Sequence, residues 1–216
     1  MKHMIFDMDG VIIDSEPIHT ALDIKMLAGY GIEISAQEIE KFIGISSKVT
    51  WEILKNRFQL EATVDELVEE SIQLKLHNLS ISGIKPITGI VTLLNTVRDL
   101  GIPMAVASSS PESYIKEVLK VCGIHDYFTH VVSGQHVANS KPAPDIFLKT
   151  AELLGAKPQE CIVIEDSTHG ISAAKVAGMY CVGFDNVNSK NQVLDQADMI
   201  VQRISEIVID KLTNSI

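Results

Sequence analysis

The chain's 216 residues are enough to bury one sizeable core, or a core with a small second domain. Hydrophobic residues make up 46% and charged ones 21%, a balance that excludes a disordered or fibrous chain. A formal net charge of −10 sets the surface against nucleic acid and anionic membrane, so a phosphorylated ligand would need positive charge placed locally, by a metal or a few lysines. No apolar stretch approaches the ~20 residues of a membrane helix. The first residues run straight into a strand-like segment, without a basic region and apolar signal core. Cys122, Cys161 and Cys181 show no C-x-x-C spacing, so a zinc site or disulfide framework is not expected and a cytoplasmic location is.

The first apolar run, Met4–Phe6, stops at Asp7-Met8-Asp9-Gly10, as a buried strand does when it breaks into a turn. Residues i and i+2 of an extended chain share a side, so the carboxylates of Asp7 and Asp9 can face one pocket. Held that close, they repel unless a proton, a cation or a substrate lies between them. Helical signals follow. Pro17 to Ala28 is amphipathic with Gly29 as its stop. Ser35 and Glu38 form a capping box for a short helix ending near Gly44, and Ser46 or Ser47 opens a third helix carrying Val49, Ile53 and Leu54. Thr63 and Glu66 form a second capping box, leading a longer helix with Leu67, Ile72, Leu74 and Leu79. Four consecutive helices predict a small bundle over residues 16–80.

From Pro86 onward strands and helices alternate. A helix over Gly89–Leu100 precedes a strand over Met104–Ala107, which ends in Ser108-Ser109-Ser110-Pro111. Ser110 is read as N-cap of a helix that has Pro111 in its first turn and runs to Cys122. Val131-Val132 is a brief strand, Pro144 opens a helix ending before Gly155, and Cys161–Ile164 is a strand followed by Glu165-Asp166-Ser167. A helix to Ala177 and a strand over Tyr180–Phe184 come next; Asp198–Val201 is read as an edge strand and Ile204–Leu212 as a closing helix, with no chemistry identified after Asn188. Unbroken apolar strands alternating with helices imply an α/β chain with a parallel sheet covered on both faces. The expected domains are a core of residues 1–15 plus 81–216 and a helical insertion between its first strand and the rest.

Ligands of open parallel sheets bind outside the carboxyl ends of the strands. Asp7, Asp9, Ser108, Glu165 and Asp166 all fall there, and Lys141 in the Asn139–Pro144 loop can reach the same rim. Singly, each has a plain reading: a turn, a helix start, a solvated loop charge, or a complement to a helix dipole. A calcium loop would need a further acid where Ile18 stands. Jointly, four carboxylates, a hydroxyl and a lysine are explained by Mg2+ and a phosphoryl group.

Asp7-Met-Asp9-Gly-Val-Ile-Ile-Asp14-Ser15-Glu16, the Ser108 loop, Ser140-Lys141-Pro142-Ala143-Pro144-Asp145-Ile146-Phe147 and Ile164-Glu165-Asp166-Ser167-Thr168-His169-Gly170-Ile171 resemble the four signature motifs of the haloacid dehalogenase superfamily. The resemblance is to the branch with a helical cap after the first strand, which holds β-phosphoglucomutase and many small-metabolite phosphatases. It spans nearly the whole chain in the expected order. It implies a Rossmann-like core with a four-helix bundle cap, Mg2+ as cofactor, and transfer through an aspartyl-phosphate on Asp7. It further implies Asp9 as general acid and then base, its backbone carbonyl joining Asp7 and Asp166 around the metal, with Glu165 in support directly or through water. Ser108 and Lys141 would hold the transferring oxygens, and the backbone N–H groups after Asp7 would add an anion nest. Dehalogenation uses neither a metal nor a carboxylate two residues after the nucleophile. A receiver-type signalling domain would place its acceptor aspartate after the third strand, where this chain has Ser133-Gly134, and would lack the helical insertion.

Reaction type is set by the cap. His19 matches a histidine that β-phosphoglucomutase associates with cap closure and with proton exchange with the assisting aspartate, yet plain phosphatases share it. Mutases of this type resemble Gly-x-Ser-Arg at the second cap helix, whereas this chain has Gly44-Ile45-Ser46-Ser47-Lys48. Lys48 lies one position later, about 100° around a helix, and lacks arginine's bidentate fork. Lys75 is the other candidate cap charge. The expectation is a monomeric Mg2+-dependent phosphatase of a small phosphorylated metabolite, a sugar or polyol phosphate, with a β-phosphoglucomutase-type mutase as the alternative.

Overall fold

The computed structural model describes residues 2–214. Strand β1 (His3–Phe6) ends at Asp7, and the chain then leaves the sheet for four helices: α1 (Glu16–Gly29), α2 (Ala36–Ile39), α3 (Ser47–Phe58) and α4 (Val64–Ser82). It returns as α5 (Ile90–Asp99), β2 (Met104–Ser108), α6 (Glu112–Val121), β3 (His130–Ser133), α7 (Asp145–Leu153), β4 (Cys161–Glu165), α8 (Thr168–Val176), β5 (Tyr180–Phe184), β6 (Met199–Val201) and α9 (Ile209–Asn214). The strands form one parallel sheet in the order β3-β2-β1-β4-β5-β6.

Alternation along each strand sends neighbours to opposite layers. Met4, Phe6, Val106, Ile162, Ile164 and Val182 pack in one apolar cluster with Leu94 of α5 and Ile115 and Leu119 of α6. Ile5, Ala107, Val132, Val163 and Cys181 pack in another with Phe147 of α7 and Ile171 of α8. Burial on both faces is why the strands read as continuous apolar runs. The architecture is α/β and Rossmann-like, with the helical segment inserted after the first strand.

The inserted helices build their own cluster from Met26, Leu27, Ile39, Trp51, Leu54, Leu60 and Leu67. Both capping boxes form; at α4 the Glu66 N–H donates to Thr63 Oγ1 at 3.2 Å, and the Thr63 N–H to the Glu66 carboxylate at 2.8 Å. Burial of Leu79 in the first sheet cluster fastens the end of α4 to the core. Two sequence expectations are corrected. The N-cap of α6 is Pro111 rather than Ser110, whose hydroxyl is engaged elsewhere. The expected Ile204–Leu212 helix is a 3-10 turn over Ile204–Glu206 followed by α9. Ile204, Ile207, Ile209 and Leu212 all enter one cluster. A continuous helix would set Ile207 and Ile209 about 200° apart, and the extended backbone at Ile207 turns both inward.

Because β1 and β4 are neighbours from which the chain winds in opposite directions, a crevice opens at their carboxyl ends. Pairing of Phe6 with Ile164 and with Val106 brings Asp7 level with Glu165 and Ala107 at that crevice.

Candidate active site

Asp7 continues β1 by one residue, its N–H donating to the Ile164 carbonyl at 3.0 Å. Its Oδ1 accepts from Lys141 Nζ at 2.5 Å, and the same ammonium donates to Glu165 Oε1 at 2.7 Å. All three side chains are buried, so one cation serves two carboxylates in a dry setting. Burial pushes the Asp7 carboxyl up to about 8, and the charges of Glu165 and Asp9 add to this against the pull of Lys141. Lys141 is held in its charged form by the two carboxylates, which overcome its desolvation.

Asp9 points along the other side of the crevice. Its Oδ1 accepts from Ser15 Oγ at 2.6 Å, and its Oδ2 from Ser110 Oγ at 2.6 Å and Ser108 Oγ at 3.2 Å. His19 Nδ1 lies 3.8 Å from Oδ1, and His19 Nε2 is 3.0 Å from the Tyr114 hydroxyl. Burial, then the nearby Lys75 charge, push the imidazole down to about 3.

Asp166 accepts a hydrogen bond from Ser189 Oγ, and burial followed by the charges of Glu165 and Asp7 raises its pKa well above the ordinary aspartate value. Glu165, expected to support the metal directly or through water, makes its hydrogen bonds on the side away from the Asp166 carboxylate. Consecutive residues leaving a strand face opposite ways, and Glu165 turns to Lys141 and under the start of α8, where its Oε2 accepts from the Ser167 N–H at 2.8 Å and Ser167 Oγ at 2.9 Å.

The cavity between sheet and inserted helices is lined by Asp7, Asp9 and Asp166 from the core, and by Glu16, His19, Thr20, Asp23 and Lys75 from α1 and α4. Burial and the Asp9 charge raise the Glu16 carboxyl to about 8. Lys75 is 3.8 Å from Asp23 Oδ1. Lys48 does not line this cavity; it is exposed and borders an adjoining hollow with Asp65, Gln135 and Ser140, whereas Ser47 reaches both.

Sequence reasoning missed Ser15, Glu16, Ser110 and Tyr114. It also missed the loop after β5, where Asn186 Nδ2 donates to the Gly10 carbonyl at 2.8 Å, Asn188 Nδ2 to Asp14 Oδ2 at 2.5 Å, and Ser189 to Asp166. That loop leaves the carboxyl end of a strand, the same signal that singled out the others.

Comparison with known proteins decides the family: the model for haloacid dehalogenase-like hydrolases matches residues 4–184. The chain belongs to the haloacid dehalogenase-like hydrolases. This hydrolase is 34% identical over 184 residues to the fructose-1-phosphate phosphatase of Escherichia coli, covering 83% of the chain and 94% of that protein. It is 32% identical over 230 residues to the β-phosphoglucomutase of Bacillus subtilis, covering 98% and 94%. A solved β-phosphoglucomutase from Clostridium difficile shares the fold with a TM-score of 0.84 at 28% identity, covering 99% and 96%.

Phosphatases and mutases of this family generally use Mg2+, and the donors here fit a hard cation. Asp7 and Asp166 line the cavity and offer carboxylate oxygens, with too little positive charge nearby to balance them. Gly10, at φ +80°, leaves the room that the Asp166 carboxylate occupies: a Cβ there would lie 1.9 Å from Asp166 Oδ2 and 2.8 Å from Ser189 Oγ.

Proposed function

We propose that this hydrolase is a Mg2+-dependent phosphatase of a sugar or polyol monophosphate, acting through an aspartyl-phosphate on Asp7. One observation carries the choice over a mutase. Among the described residues lining the cavity, Asp7, Asp9, Glu16, Asp23 and Asp166 face a single lysine, Lys75, itself 3.8 Å from Asp23. A mutase must grip a phosphate at each end of a bisphosphate intermediate, and this wall offers no unshared cation for the second. The carboxylates and hydroxyls of Glu16, Thr20, Asp23 and Thr50 are instead suited to a polyhydroxylated carbon chain. The fructose-1-phosphate phosphatase relative supports the same substrate class.

Asp7, Asp166 and the Asp9 carbonyl would hold Mg2+, which when bound neutralises charge on the transferring phosphoryl group. Asp7 is the nucleophile, oriented by Lys141, which stays protonated and screens its charge from the incoming phosphate. Asp9 delivers a proton to the leaving oxygen and then accepts one from the water that cleaves the phosphoenzyme. Ser108 binds a transferring oxygen at the end of β2.

The test supplies fructose 1-phosphate and, separately, β-glucose 1-phosphate with a trace of glucose 1,6-bisphosphate, both with Mg2+. Stoichiometric release of inorganic phosphate is expected. Formation of glucose 6-phosphate without matching phosphate release would establish the mutase instead.

A further inference from the structure

His19 and Tyr114 meet across the boundary between the inserted helices and the core, on α1 and α6 respectively. Their side chains are buried, with ring centroids 5.3 Å apart and Nε2 to hydroxyl at 3.0 Å. That contact is the hydrogen bond the structure gives the phenol. Burial and the charges of Asp9 and Glu16 around it keep the phenol protonated. A buried hydroxyl seeks an acceptor, and Nε2 of a neutral imidazole can be one. The ring's single proton then belongs on Nδ1. Nδ1 is the nitrogen that looks at Asp9 Oδ1, 3.8 Å away. At that separation it faces the carboxylate without bonding it, as catalytic contacts often do before substrate draws them together.

We propose that Tyr114 is a positioning residue: its hydroxyl donates to His19 Nε2 and so fixes the imidazole tautomer that presents Nδ1–H to Asp9. The alternative tautomer would turn a lone pair toward the carboxylate and repel it in its charged form. Because Tyr114 belongs to the core and His19 to the insertion, this tautomer is selected when the two are docked. Asp9 thus meets a donor when the cavity is covered. The catalytic consequence rests on Asp9 being the acid–base group proposed above; the tautomer does not.

Long-range 1H–15N spectra of 15N-labelled protein report which ring nitrogen carries the proton, with the His19 signals among the seven histidines identified by their loss in His19→Gln. Wild type is expected to show a protonated Nδ1 and an unprotonated Nε2, and Tyr114→Phe a mixture or the reverse. With p-nitrophenyl phosphate and Mg2+, Tyr114→Phe is expected to lower kcat about three- to tenfold with KM within about twofold, a small part of what a positioned acid–base group supplies. In a His19→Gln background the same change is expected to cost nothing further, which a purely structural tyrosine would not show. A doubly protonated ring, a tautomer unmoved by Tyr114→Phe, or a shifted tautomer with unaltered kcat would overturn the proposal. An Asp9→Asn variant of full activity would instead remove Asp9 from the chemistry and leave the tautomer result standing.

Discussion

Lys141 is the residue on which the buried charges of the core depend. Its ammonium lies 2.5 Å from Asp7 and 2.7 Å from Glu165, with all three side chains shielded from water. Lys141→Met would leave two carboxylates dry and unpaired, a change that costs roughly 3–5 kcal/mol when one partner of a buried pair is removed. Loss of activity and a matching loss of stability are expected together, the latter measured by urea denaturation without Mg2+. A variant as stable as wild type would show that the site relaxes around water instead. Glu16 makes a different prediction, in pH. Its carboxyl is raised from 4.5 to about 8, mainly by burial. A carboxyl raised on folding contributes stability that is whole below its unfolded pKa and is lost as pH climbs through the folded one. The stability advantage of wild type over Glu16→Gln should therefore shrink between pH 5 and pH 8 in Mg2+-free buffer, by at most about 1.4 kcal/mol per pH unit. A gap that does not change with pH would mean Glu16 is ionised in the folded protein.

At the scale of elements, the loop after β5 does what no sequence signal assigned to it. Asn186 holds the Gly10 carbonyl, and Ser189 holds the Asp166 carboxylate in the room that the absent side chain of Gly10 leaves. A hydrogen bond that orients a metal-binding group typically changes metal affinity 10–100-fold when removed. Ser189→Ala is expected to weaken Mg2+ binding about tenfold by isothermal titration calorimetry, while the melting temperature without Mg2+ stays close to wild type. Unchanged affinity would reduce Ser189 to a packing role. The contrast with Asp7 and Asp9 explains what could be read in advance. Their chemistry is local: a strand end and a spacing of two residues set it, Ser108 and Asp166 follow from the same strand-end rule, and Lys141 is read from a loop able to reach the same rim. Ser110 to Asp9 spans 101 residues, Tyr114 to His19 spans 95 and Ser189 to Asp166 spans 23. Those pairings exist only once helices and loops pack, so a run of serines looked like a helix start. The Lys141 and Ser167 partners of Glu165 follow from adjacent residues at a strand end facing opposite layers.

For the molecule as a whole, the cavity is lined mostly by the inserted helices, and their parting from the sheet would open it to a substrate. Besides Leu79 and the His19–Tyr114 pair, a polar strip around Gly44 holds them down. Ser109 Oγ donates to the Gly44 carbonyl at 2.8 Å, His169 Nδ1 lies 3.2 Å from the Ile43 carbonyl, and Asn191 Nδ2 donates to Glu40 at 3.1 Å. Gly44, at φ +81°, lets this strip touch the catalytic loops, since a Cβ there would stand 2.5 Å from Ser167 Oγ. The three polar contacts of this strip are each worth only about 0.5–1.5 kcal/mol net, and a ligand bridging Asp7 and the α1 wall would add to them and favour the docked arrangement. Adding Mg2+ with beryllium fluoride, which occupies the phosphoryl position on an aspartate, is expected to reduce the radius of gyration by small-angle scattering. Amide exchange over residues 43–47 is expected to slow in the same sample. Scattering profiles and exchange rates that do not move would mean that substrate enters a rigid molecule through the neighbouring hollow bordered by Lys48 and Ser140, and that domain closure plays no part.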